Sequence, residues 1–144
     1  MNDKRWWKDL LPFRLAPNWE IKWNKLENIE PDTLEESDDK WLYVFVEDML
    51  YIETSFTYKR NKKSIKHTLA IDLGWYPEGD IKGFYHLYAI LDNDWDTPIF
   101  ELKTRSTQEV VEIMEKWMFE DFQSSFWALV QHKTLRHIIT KAVK

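Results

Sequence analysis

Two runs of aromatic and β-branched residues stand on either side of five polar ones, and nothing else in the sequence restricts the fold as tightly. Residues 41–58 include Tyr43, Val44, Phe45, Val46, Tyr51, Ile52 and Phe56, side chains that favour strand over helix because they pack on a pleated surface. Glu47 and Asp48 mark a bend or bulge inside this run. Beyond KRNKK at 59–63, the segment SIKHTLAIDL at 64–73 puts Ile65, His67, Leu69, Ile71 and Leu73 on one face. Two such runs around a short polar break predict a β-hairpin.

The flanking segments extend the pattern. WEIKWNKL at 19–26 alternates Trp19, Ile21 and Trp23 with Glu20, Lys22 and Asn24, the period-2 signature of a half-buried strand. Residues 28–40 are acidic, contain Pro31 and bring little apolar surface, which predicts a loop. All three glycines fall between Gly74 and Gly83 together with Pro77, predicting a shaped loop where the backbone needs glycine's freedom. FYHLYAIL at 84–91 is apolar on both faces, as a strand covered on both sides is. After the turn DNDWDTP, a short strand is expected over 99–103.

Helix then takes over. Ser106 and Glu109 have the spacing of a capping box, in which the serine accepts from the N3 amide. Val110, Val111, Met114, Trp117 and Met118 follow as one apolar stripe. A second helix is expected from about Ser125. The fold class that results is α+β: a single antiparallel sheet of about five to six strands, followed by two C-terminal helices packed on it. With no repeat and no linker, residues 1–144 read as one domain.

A chain of this length buries about two thirds of its unfolded surface without a metal or disulfide, and it has no cysteine. That removes thiolate nucleophiles and Cys-based metal sites. No signal-peptide core and no run of about 18 apolar residues is present, so the expectation is cytoplasmic, with no membrane partner. The net charge is -5, which argues against a dedicated nucleic-acid binder. Charge is nevertheless segregated: Glu27, Glu30, Asp32, Glu35, Glu36, Asp38 and Asp39 form a run without a base, while Lys59, Arg60, Lys62, Lys63 and Lys66 cluster in one short stretch.

No motif establishes catalysis. Asp92, Asp94 and Asp96 open like a calcium loop, but Thr97 stands in place of the glycine and Lys103 in place of the closing glutamate; a polar turn is the better reading. Gly74 and Gly79 have P-loop spacing, but Asp80 replaces the phosphate-binding lysine. His132 and His137 lie about 140° apart on a helix and cannot share a ligand. No serine has the strained, glycine-flanked setting of a nucleophile. His67 and His86, on neighbouring predicted strands, are the remaining acid–base candidates. Neither a metal nor a cofactor is implied, and a non-enzymatic role is expected.

Three classes of function therefore compete. The chain has nine tryptophans, a residue that fills cores and also anchors interfaces. Acidic surface beside the loop residues Trp75 and Trp95, or the N-terminal Trp6 and Trp7, would steer and then hold a basic partner protein. The basic hairpin tip beside Phe56 and Tyr58 suits nucleic acid, against the ordinary reading of a solvated tip that guards a sheet edge. A small enzyme built on His67 and His86 is the third. A homo-oligomer sealed by aromatic surface is compatible with each.

The most individual strings are LPFRLAPNWEI at 11–21 and IDLGWYPEGD at 71–80. In size, acidity, absence of cysteine and the plan of a sheet followed by helices, the chain resembles the small bacterial immunity proteins that bind and neutralise a cognate toxin. The resemblance covers this general plan and assigns no residue a role. It implies a cytoplasmic inhibitor of a basic toxin protein. The seven carboxylates from Glu27 to Asp39, with Trp75 and Trp95, are then the expected contacts.

Overall fold

The computed structural model describes residues 9–123. Five strands, β1 (Glu20–Asn24), β2 (Leu50–Arg60), β3 (Lys63–Tyr76), β4 (Phe84–Leu91) and β5 (Phe100–Thr104), form one antiparallel sheet in chain order. A short helix α1 (Lys40–Tyr43) precedes β2, and α2 (Thr107–Lys116) follows β5 before one π-helical turn, Trp117–Asp121. The protein is thus α+β, with one C-terminal helix among the described residues. The second helix expected from Ser125 lies outside them. No helix among the described residues is long and apolar enough to cross a membrane.

The hairpin forms where the polar break predicts it. Asn61 and Lys62 both take positive φ, 52° and 65°, the two-residue turn whose twist matches the flanking strands. Leu69, Ile71, Leu73 and Trp75 of β3 face Tyr85, Leu87, Ala89 and Leu91 of β4 and are buried. Below them α2 contributes Val110 and Met114, also fully buried. The helix starts at Ser106, whose hydroxyl accepts from the Glu109 amide at 3.1 Å. The reciprocal half of the box is made differently, since the Ser106 amide donates to the Thr104 hydroxyl.

Three expectations are corrected. Residues 41–49 are not strand: over 41–45 Trp41, Val44 and Phe45 are buried and Leu42 and Tyr43 exposed, a helical i, i+3, i+4 spacing that the aromatic composition masks. The Asp38 carboxylate starts this turn by accepting from the Lys40 amide at 2.9 Å. In β1 the register shifts between Ile21 and Trp23. That bulge sends Trp23 to the face opposite Trp19 and Ile21, because one extra residue inverts the alternation. In β4 only one face is fully covered, for Phe84 is exposed and His86 and Tyr88 are half-buried.

The glycine-rich segment splits in two. Gly74 and Trp75 belong to β3, and the loop proper is 77–83. A Cβ on Gly74 would stand 2.1 Å from the Glu47 carbonyl oxygen, and one on Gly83 would stand 2.5 Å from the Trp75 indole nitrogen. Both positions need glycine because the chain crosses them at contact distance.

Candidate functional site

The acidic run is first of all a strap across the end of the sheet. Glu30 receives the Thr107 amide at 2.6 Å and the Gln108 amide at 3.1 Å on its two carboxylate oxygens. It thereby caps the first turn of α2, where the helix dipole favours negative charge. Asp32 takes two bonds from the Arg105 guanidinium, at 2.9 and 2.8 Å. Arg105 also donates to the Gly83 carbonyl and lies over the Trp75 ring, 5.3 Å from its centre. Glu27 pairs with Lys40 at 3.2 Å. Four of the seven carboxylates, counting Asp38, are thus committed to holding the fold.

Glu35, Glu36 and Asp39 are exposed and make no ion pair with a described residue. Directly behind them α1 turns Leu42 and Tyr43 outward, 67% and 71% exposed. Charge and apolar surface therefore adjoin here, although not through the tryptophans that the sequence suggested. Trp75 is fully buried among Trp41, Phe45 and Tyr85, and its indole N–H donates to the Asp80 carbonyl. A side chain so placed presents no surface to a partner. Trp95 is half-exposed but sits beyond the Leu91 end of β4, at the opposite end of the sheet from Asp32 and Arg105. The residues Trp6 and Trp7 lie outside the described residues.

His67 and His86 do not meet. His67 pairs with Phe56 across the hairpin, past the point where the β3–β4 ladder ends at Leu69 and Leu91, whereas His86 pairs with Gly74. Seven residues of β3 separate these positions, about 23 Å at strand rise, and their parity puts the imidazoles on opposite faces. His67 binds Asp92 at 2.7 Å and stacks on Tyr58; Asp92 also receives the Thr68 amide. The aspartates of the β4–β5 turn accordingly brace that turn: the Asp94 carboxylate accepts from Thr97.

The sheet face opposite the core holds the strongest concentration of perturbed groups. One continuous cross-strand row runs Trp23, Tyr51, Asp72, Tyr88, Glu101. Burial first, and the Asp48 carboxylate second, push Asp72 up to about 6. Burial, then Asp72 and other acids, push Tyr76 up to about 12; Tyr51 and Tyr88 move the same way, with burial again the main cause. His86 joins Tyr88 and Glu101: its Nδ1 accepts from the Tyr88 hydroxyl at 2.6 Å and its Nε2 faces Glu101 at 3.0 Å. Burial lowers the imidazole's pKa despite Glu101.

A groove of about 340 Å³ opens at this row, lined by Lys22, Trp23, Asp48, Leu50, Tyr51 and Asp72. Lys22 is directed at Glu20 and Glu53, at 3.1 and 3.6 Å. A larger groove of about 510 Å³ between Trp19, Phe56 and Phe122 has no charged side chain among its described lining residues and mixes apolar contact with the polar side chains of Asn18, Thr54, Ser55 and Gln123. No family model, curated protein or solved structure matches the chain. The surfaces must therefore be judged on their own chemistry.

None of Trp23, Tyr51, Asp72 and Tyr88 stands out in the sequence as a site residue. Asp72 carries one faint signal, as the lone carboxylate in the apolar alternation of IDLGWY. Its neighbours emerge only from the register.

The basic hairpin is an arm. β1 leaves β2 at Glu53, and β4 leaves β3 at Leu69, so beyond the bonds of His67 and Thr68 to Asp92 the strand residues from Ser55 to Thr68 form ladder pairs only with each other. Lys59, Arg60, Lys62, Lys63 and Lys66 all lie on this projection, and none forms an ion pair with a described residue.

Proposed function

We propose that this chain is a non-enzymatic binding protein that holds a basic partner protein, in the manner of an immunity protein occluding a toxin. The observation that carries the reading is the surface formed by Glu35, Glu36, Asp39, Leu42 and Tyr43. Free carboxylates there adjoin apolar side chains that the fold leaves outside. Such a pairing speeds encounter through charge and retains the partner through desolvated contact. If the partner is a nuclease, the carboxylates stand in for the phosphates it expects.

The test is capture of partners from the native cell lysate on two baits, wild type and the triple variant Glu35→Gln, Glu36→Gln, Asp39→Asn, washed at low and at high salt. One basic protein that is retained by wild type, released by salt and lost with the triple variant supports the reading. An identical set of proteins on both baits removes this surface from the account.

The projecting arm favours a second reading, in which its five cations contact nucleic acid. A two-stranded ribbon fits a major groove, and each phosphate contact steepens the salt dependence of binding. Nucleic acid recovered on both baits, and lost when Lys62 and Lys63 are changed to Glu, would promote it.

A further inference from the structure

We propose that Trp23, Tyr51, Asp72 and Tyr88 form a recognition cage for an organic cation, whose occupant is a lysine or arginine side chain of the partner protein. The choice of occupant rests on the reading of that partner as basic; the cage itself rests on the strand register and the groove at Asp72.

Asp72 stands between two tyrosines, Tyr51 on β2 and Tyr88 on β4, directly opposite each in register. Cross-strand neighbours on one face lie about 5 Å apart at Cβ, so Tyr51 adjoins the carboxylate within the groove, and Tyr88, its ring stacked on His86, bounds it on the β4 side. Trp23 closes the row on the β1 side, its indole N–H held by the Asp48 carbonyl at 2.8 Å. That bond fixes the ring at the mouth of the groove. Lys25 lies over this indole, 5.2 Å from its centre, so the ring already serves one cation of the chain. Aromatic faces around a carboxylate are the arrangement that selects ammonium and guanidinium groups.

The chain does not neutralise the site itself. Asp72 makes no hydrogen bond or ion pair with a described residue, and the charge that acts on it is a second carboxylate, Asp48. Facing the same region are Glu47 beside Asp48, Tyr76 on β3, His86 and Glu101 from β4 and β5, and Lys22 and Glu53 from β1 and β2. Lys22, the cation nearest the row, is paired to Glu20 and Glu53. Burial lowers the pKa of His86. A half-buried carboxylate without a counter-ion is costly, and an incoming cation removes that cost.

Methylguanidinium, N-acetyl-lysine methylamide and tetramethylammonium serve as probes, titrated into full-length protein while the Trp23 indole N–H is followed by NMR. Saturable binding of the first two, on the order of millimolar, is expected at pH 7.5. It should weaken about tenfold or more at pH 4.5, where Asp72 is protonated, and equally in Asp72→Asn at pH 7.5. Glu112→Gln, exposed on α2, should bind as wild type does. The undisturbed remainder of each spectrum reports the fold. Equal binding by Asp72→Asn, or no saturable shift, overturns the cage. Response to tetramethylammonium alone overturns the choice of a side-chain occupant. Because the probes are free cations, the cage can stand when lysate capture fails, and fall when it succeeds.

Discussion

The two faces of the sheet differ by one residue of register and by almost everything else. On the core side Leu50, Leu73, Leu87 and Leu102 line up across four strands, the first three at most 1% exposed. On the other side the adjoining row reads Trp23, Tyr51, Asp72, Tyr88, Glu101. The first row is what burial demands, and hydrophobic transfer explains it completely. The second is not what stability demands: it keeps a carboxylate beside aromatic rings without an ion pair to any described residue, for Lys22 nearby is paired to Glu20 and Glu53. Departures of this kind from local rules are expected at functional or strained sites.

The sharpest way to break the comparison is to truncate one member of each row. Leu73→Ala should lose about 2–5 kcal/mol in urea unfolding, through transfer and cavity together. Asp72→Asn, one residue away, should gain about 1 kcal/mol at pH 7, after allowing for solvent that reaches the carboxyl. A loss from Asp72→Asn comparable to that from Leu73→Ala would mean that both rows serve stability.

Next in size is Glu30→Gln. This carboxylate caps α2 through two amides, and its loss as a charge should reduce stability by about 1–2 kcal/mol. The triple change of Glu35, Glu36 and Asp39 to amides should move stability by no more than about 0.5 kcal/mol. The contrast separates carboxylates that hold the strap from those left for a partner, and equal effects would erase it.

The pH dependence follows from the same row. Asp72 is raised to about 6 when folded, from 3.8, so between these values the folded state binds more protons. Its contribution is therefore fully present at pH below 4 and is lost as pH rises to about 6. Asp72→Asn should flatten that part of the stability profile, read by urea unfolding at stepped pH.

Much of the scaffold was legible in the sequence. The polar break at 59–63, the glycine and proline cluster and the Ser106 cap act locally, and local chemistry can be read from a string. Helix α1 was not legible, because Trp41, Val44 and Phe45 have strand-like composition but helical spacing. The bulge that turns Trp23 outward leaves no composition signal. Glu30 was singled out as a partner contact, yet its two amides lie 77 and 78 residues onward, beyond any pattern. Trp75 was read as loop because glycines surround it, yet Gly74 makes room for the Glu47 carbonyl and Gly83 for the buried Trp75 ring. The row through Asp72 draws one residue from each of five strands and exists only once register is set. His86, which bonds Tyr88 two residues along β4, was the one neighbour of the row that the sequence singled out.

The most direct measurement is the titration of the Asp72 side-chain carboxyl carbon by NMR, assigned by comparison with Asp72→Asn. A midpoint near 6 is expected, the mark of a carboxylate that is partly desolvated and left without a counter-ion. A midpoint near the ordinary aspartate value of about 3.9 would show the group fully solvated or already neutralised, and would contradict the account of this face.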